Sequence, residues 1–437
     1  MKRTFKVSGL CVPTMRKMIF LSIYCLFAGI KASSQEPENW AQFRGPNGQG
    51  ISKATDLPVH WNADDNIAWK TDIPGESWSS PIVWNNHIFL TTATENGENC
   101  HVIAVNRKTG DILWDKVVIT QSPEQHRHPM NSYATPTPVT DGKTVFAVFS
   151  GGSFAALDFD GNVRWINSDL DYYSHHGLGA SPILYGDLLI FAVNLSYKGE
   201  PNTLGWQDPW DKSYLLALDK NTGKERWRGT RGLSCISHTT PIIMQVNGND
   251  QIISSVGDAF QGFNPDDGKL IWTVANKGEP CVPSPVIGDG LVFAVTSVNA
   301  PIIAVRPDGQ GDCSATHIAW QQKGYSPNVS SFLYVKPCLY TCMDIRINCL
   351  DANTGEFLWR LPLRSGELNP SPIYADGKIY VLSEQGTTTV LKPAKDPKIP
   401  AEIIATNELK EHCRASMAIA GKQLIIRTDN RLWCIGK

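Results

Sequence analysis

A short motif closed by tryptophan recurs along this chain, and its spacing limits what the chain can fold into. The clearest copy is Ala217-Leu-Asp219-Lys-Asn-Thr-Gly223-Lys-Glu-Arg-Trp227. Close variants end at Trp114 and Trp359, and looser ones at Trp165, Trp272 and Trp320. From Trp114 to Trp359 the successive intervals are 51, 62, 45, 48 and 39 residues, the period of a propeller blade with insertions. Each copy reads as an apolar strand, a turn and a second strand. Asx and Thr side chains bond the turn's own backbone, and glycine supplies a positive φ. Tryptophans at equivalent places are packing devices first, and Trp69 joins this set.

Upstream of each turn lies a Ser-Pro or Thr-Pro strand and then a hairpin. Examples are Ser80-Pro-Ile-Val-Trp84 with Asn85-Asn86, and Ser371-Pro-Ile-Tyr374 with Asp376-Gly377. Asx-Gly between apolar runs is a strong hairpin signal. One unit is therefore four antiparallel strands, A to D. Counting units predicts an all-β fold, an eight-bladed β-propeller with four-stranded blades. A seventh blade, roughly residues 369–407, has lost its tryptophan. The eighth has only three C-terminal strands, and Asn66 to Lys70 is expected to supply the missing one. Closure by both termini removes free sheet edges.

Residues 1–34 read as a secretory signal peptide: basic residues, an apolar run from Met18 to Ile30, and the small residues Ala32-Ser-Ser34. Residues 35–65 read as an N-terminal extension packing on the propeller, which occupies 66–437. The chain is expected to be exported, periplasmic or extracellular, and monomeric, with no transmembrane segment after cleavage. Charged residues are 19 % and the net charge is −2, which gives no footprint for nucleic acid. Two of 11 cysteines, Cys11 and Cys25, fall in the signal, leaving an odd number. Cys342 and Cys349 flank a B-to-C turn and could face each other, Cys413 and Cys434 belong to one blade, and Cys235 and Cys281 precede strand A of successive blades; the pairing stays open. No Cys-x-x-Cys occurs, so a zinc cluster is not expected and the metal expectation is none.

The motif Ala-x-Asp-x-x-Thr-Gly-Lys-x-x-Trp, matched by Ala217, Asp219, Thr222, Gly223, Lys224 and Trp227, resembles the tryptophan-docking motif of PQQ-like, quinoprotein-type eight-bladed propellers. The resemblance covers about residues 66–437. It implies the fold strongly and activity weakly, because the superfamily holds both quinoprotein dehydrogenases and the non-catalytic assembly lipoprotein BamB. The opening Trp40-Ala-Gln-Phe-Arg-Gly-Pro46 is similar to that of exported PQQ-repeat proteins of uncharacterised function. The dehydrogenases carry long insertions, a Ca²⁺ site and often adjacent cysteines, and no such pair occurs here. No cofactor is therefore expected; PQQ with Ca²⁺ belongs only to the dehydrogenase alternative.

Loops from strand D to strand A and from B to C share one face, and the unusual residues collect there. The candidates are His128, Asn131, His175, His176 and His238 before strands A, and Trp206 and Trp210 in the long insertion 196–213. Asp258, Asp344, Arg346, Glu384 and Arg431 lie in or beside B-to-C turns. Function tends to sit on such loops. The sequence thus reads as a binding or scaffold module for a protein, small-molecule or glycan ligand, without assigned catalytic residues. A quinoprotein dehydrogenase and a carbohydrate-active enzyme are the alternatives. Ser181, Ser284 and Ser371 fall in the repeat and read as structural.

Overall fold

The structure, a computed structural model, describes residues 39–437 apart from 123–125, 277, 279–281 and 297–299. The expected signal segment and Cys281 lie outside the described residues. Eight antiparallel sheets follow one another in chain order, and the eighth joins Ala418–Ala420, Gln423–Arg427 and Arg431–Ile435 to Ile67–Asp72 from the other end. Lys70 stands opposite Trp433 and Asp72 opposite Arg431. The closing strand runs two residues beyond Lys70 because Thr71 and Asp72 find partners, while Asn66 at φ 57° turns into it.

The repeat tryptophans join neighbouring blades. The indoles of Trp69, Trp114, Trp165, Trp227 and Trp320 lie over Gly110, Gly161, Gly223, Gly268 and Gly355 of the next blade's turn. A Cβ on these glycines would fall 2.4–2.9 Å from the indole, so both the positive φ and the close approach require glycine. The Trp165 N–H donates to Lys220 O at 2.9 Å, and Trp114 and Trp320 bond equivalent carbonyls. Trp272 departs from this pattern. Its N–H donates to Gln251 Oε1 within its own blade. In the next blade the turn is replaced by Gly311–Asp312, which pairs in parallel with the outer strand of blade 4. Blade 4 therefore has five strands where four were expected.

The cysteines among the described residues are free thiols. Cys342 stands opposite Ile347 and Cys349 opposite Tyr340, so these two do not face each other. Cys413, Cys434 and Cys235 are likewise buried free thiols. Two hairpins, Asn247-Gly248 and Lys336-Pro337, were passed over in the sequence.

A closed ring of hydrogen bonds surrounds the bore. The backbone N–H of Ser80 donates to the Thr137 hydroxyl, Thr137 to Ser181, and Ser181 to Thr240. The series continues through Ser284, Ser331, Ser371 and Ser416, which returns to Ser80. Every link is 2.9–3.1 Å. All eight residues are buried. These are the Ser/Thr-Pro serines and threonines of the repeat, and their role is structural: each satisfies a backbone donor that no ladder serves. Proline follows in six of the eight because the inner edge of strand A needs no N–H there.

The N-terminal segment closes one end of this bore. Trp40 bridges to Val83 of blade 1, and Ala41 O accepts from Thr140 of blade 2. Gln49 Oε1 then accepts from Ile287 of blade 5, Arg44 donates to Phe332 O of blade 6, and Ser52 donates to Tyr374 O of blade 7. A segment touching blades 1 and 5, and also 2 and 6, must cross the axis. It does so just on the hairpin side of the hydroxyl ring. Trp40 and Arg44 are each 1 % exposed. The Arg44 guanidinium also bonds Gly48 O and Gln49 O, and burial lowers its pKa to about 9. The segment is a plug, and the bore opens only toward the D-to-A and B-to-C loops.

Candidate functional site

The lining of that open mouth follows from strand alternation. Two residues before each ring hydroxyl stands a part-exposed or exposed residue, and at six of the eight places both neighbours are buried. Five of these places hold Trp78, Thr135, His238, Asn369 and Arg414. The other three hold Gly179, Val282 and Val329. Of the residues named from sequence, only His238 belongs to this set. The others were missed because they differ in type and share only a register. The signal was available two positions before each Ser/Thr of the repeat.

One wall is a cluster of imidazoles on blades 2 to 4. His175 stacks on Trp206 with centroids 3.8 Å apart, and His176 meets Trp206 edge-on at 5.5 Å. His176 is also 5.3 Å from His128 and 5.4 Å from His238. The loops that bring them together are tied by backbone. His126 Nε2 donates to His175 O at 2.7 Å, and Asn131 Nδ2 donates to His176 O and Leu178 O. Asn131 thus positions the cluster. Gly179 makes room for His238, since a Cβ there would lie 2.9 Å from the His238 Cβ. Burial, then the neighbouring imidazoles, lowers the His176 pKa to about 4 and that of His238 to about 3. His175 is lowered for the same causes. All three rings are neutral at neutral pH. His176 Nδ1 and His238 Nε2 are enclosed and bond no described residue.

The opposite wall comes from blades 7, 8 and 1. The Arg414 guanidinium lies 4.2 Å over the Trp78 ring, a cation–π contact. Its Nε is 3.0 Å from Glu384 Oε1, which also accepts from Asn369 Nδ2 at 2.7 Å. Glu384, Arg414 and Asn369 form one self-neutralised group.

The remaining candidates stand apart. Asp258 accepts the Cys235 N–H at 3.1 Å, and burial raises its pKa. Asp344 and Arg346 pair with each other at 2.9 Å on their own turn. Trp210 donates to Leu195 O at 2.6 Å inside its insertion. Arg431 clasps the closing strand through Asp72 at 2.7 Å and also bonds Glu411.

On the far face, turns of blades 3, 4 and 5 enclose a cavity of about 520 Å³ lined by Tyr185, Asp250, Asp266 and Asp308. Tyr185 donates to Asp250 there at 3.1 Å. Among the described residues, no group of three His, Cys, Asp or Glu side chains is arranged to hold a metal ion.

Eight blades, most of them joined by tryptophan docking, with a closed hydroxyl ring, define a propeller of the PQQ-like repeat class. The profile of the family described as outer membrane protein assembly factor BamB matches residues 51–197 and 210–331, more than half of the chain. The chain belongs to that family. It is 23 % identical over 229 residues to the outer membrane protein assembly factor BamB of Alkalilimnicola ehrlichii, covering 52 % of this chain and 51 % of that protein. The chain thus spans about half the length of the curated relative it matches. In fold it is similar to BamB from Moraxella catarrhalis, with TM-score 0.59 and 14 % identity over 85 % of this chain and 97 % of that one. It is also similar to a europium-containing methanol dehydrogenase, with TM-score 0.69 and 10 % identity over 92 % and 99 %. The family match supports a scaffold or binding role in general terms, and the solved structures show the fold. No helix among the described residues is long and apolar enough to cross a membrane.

Proposed function

We propose that this protein is an exported binding module that receives its ligand in the open mouth of the bore. The single observation behind this reading is the plug. With residues 40–52 across the hairpin end, the bore is a one-ended cup whose rim carries Trp78, Arg414, Glu384, His176, His238 and Trp206. The same face carries the exposed apolar loop residues Met130 (69 %), Leu233 (74 %) and Ile345 (46 %), which suit contact with a larger partner around the mouth. The relative from Alkalilimnicola ehrlichii is named as an outer membrane protein assembly factor, which supports a binding reading.

The test is native co-purification from envelope extracts, comparing the unmodified protein with two variants. Val282→Arg plus Val329→Arg crowds the mouth, and Asp250→Ala plus Asp308→Ala alters the far-face cavity. Loss of the co-purifying molecule only in the mouth variant is the expected result. Loss only in the far-face variant overturns the proposal.

A further inference from the structure

We propose that the mouth is built for a neutral, polyhydroxylated chain: a glycan. This deepens the mouth reading above and rests on it.

The first argument is charge. The Arg414 and Arg127 guanidiniums on this face each have an anion within the protein. Arg414 stands against Glu384 at 3.0 Å, and Arg127 against Glu76 at 3.6 Å. An anionic or cationic ligand would have to break such a pair, leaving a charge without its partner. A neutral ligand leaves them intact.

The second argument is the hydrogen-bonding chemistry of what remains. A neutral imidazole offers one donor and one acceptor. The rings of His176 and His238, part-exposed and 5.4 Å apart, make no side-chain hydrogen bond to the described residues. A sugar hydroxyl is likewise both donor and acceptor, so it satisfies either nitrogen in either tautomer. Carboxylates accept only and ammonium groups donate only, and neither matches both. Thr135 and the amide of Asn369, at equivalent places on the rim, extend the same neutral polar character.

The third argument is the aromatic surface. Trp78 is backed by Arg414, and Trp206 by His175 in near-parallel stacking at 5°. Each indole is held rigidly with part of its surface exposed. Rigid aromatic faces bind flat apolar patches at low entropic cost. The C–H face of a pyranose ring is such a patch, and its hydroxyl edge is free to meet the imidazoles. Blades 8 and 4 are diametrically opposed, as are 7 and 3, so the two walls face each other across the bore.

The experiment is titration calorimetry with the whole propeller. The probes are neutral hexasaccharides of α- and β-linked glucose, β-linked mannose, xylose and N-acetylglucosamine. Hexagalacturonate serves as an anionic sugar, and a reduced, alkylated unfolded polypeptide as a protein probe. At least one neutral hexasaccharide is expected to bind at millimolar concentration or below. Trp78→Ala and His238→Ala should each weaken it about tenfold, with His238→Gln restoring part of the loss and circular dichroism unchanged. If no neutral sugar binds, or only hexagalacturonate does, the glycan inference is overturned. Binding of the polypeptide alone, lost in the mouth variants, also overturns it but leaves the mouth reading standing. A sugar whose affinity ignores Trp78 and His238 but falls in Asp250→Ala overturns both.

Discussion

Replacing Gly223 by alanine probes how much of this fold rests on one contact between blades. Gly223 has φ 70°, and its added Cβ would sit 2.5 Å from Trp165 Cε3. The left-handed conformation costs an L-residue about 1–2 kcal/mol. Forcing the indole away adds about 1–3 kcal/mol of overpacking, so Gly223→Ala should cost about 2–5 kcal/mol in total. Trp165→Ala removes an indole only 9 % exposed and its bond to Lys220 O, a loss of about 3–5 kcal/mol. In the double variant the clash has no partner, and alanine at 223 costs only its backbone conformation. The two changes should therefore be sub-additive by about 1–3 kcal/mol, well beyond the additivity limit of about 0.5 kcal/mol for independent sites. Equilibrium denaturant unfolding followed by circular dichroism measures all three. Additive losses would show that the indole and the glycine are not in register, and the docking account of the repeat would be wrong.

Deleting residues through Asp72 should strip the closing strand, expose sheet edges and lower the melting temperature, whereas deletion through Glu38 should leave a folded protein; equal melting of the two truncations refutes the closure. Ser416→Ala breaks one link of the hydroxyl ring, leaves the buried Ser371 N–H without its acceptor, and should cost about 1–3 kcal/mol in denaturant unfolding. His176 and His238 resist protonation until about pH 4 and 3, while in the unfolded chain they titrate near 6.5. The unfolded state then binds more protons between those values, so stability falls as pH drops from about 6.5. Melting curves from about pH 7 to pH 4 should show that fall, and a double His176→Gln, His238→Gln variant should flatten it. Trp40→Ala in the plug should cost about 3–5 kcal/mol by the same unfolding assay.

The blades were legible because their spacing is enforced by contact. A tryptophan that must cover the next turn's glycine keeps both residues at fixed places, as Trp69 with Gly110 and Trp320 with Gly355 show. Where that contact is replaced the reading failed: Trp272 bonds its own blade, and the added strand at Gly311–Asp312 has no counterpart in the other repeats. The plug was legible only as an extension, since Trp40 to Pro46 occurs once and its partners, from Val83 of blade 1 to Phe332 of blade 6, are scattered along the chain. The imidazole wall was found from residue type, because histidines are few and gather in successive loops. Trp78, Asn369 and Arg414 were missed because a mouth is defined by register around an axis, and types vary freely there.

The plug and the closing strand carry a consequence for the order in which the chain acquires structure. The first described residues bond the last blades: Trp61 donates to Asn407, Ser52 to Tyr374, and Ile67–Asp72 pairs with Arg431–Ile435. Sequence separations in these contacts exceed 300 residues, as in the 346 between Trp61 and Asn407. The stretch from Ser52 to Asp72 is therefore made early and docked last, and until then Trp61 and the strand edge at residues 67–72 have nowhere to bury. Loop closure over such distances slows folding and prolongs the exposure of apolar surface. The chain should show a late folding phase in which tryptophan fluorescence from the N-terminal segment changes after the blades have formed, and a chaperone that shields residues 52–72 should act on this protein before its C-terminus is released.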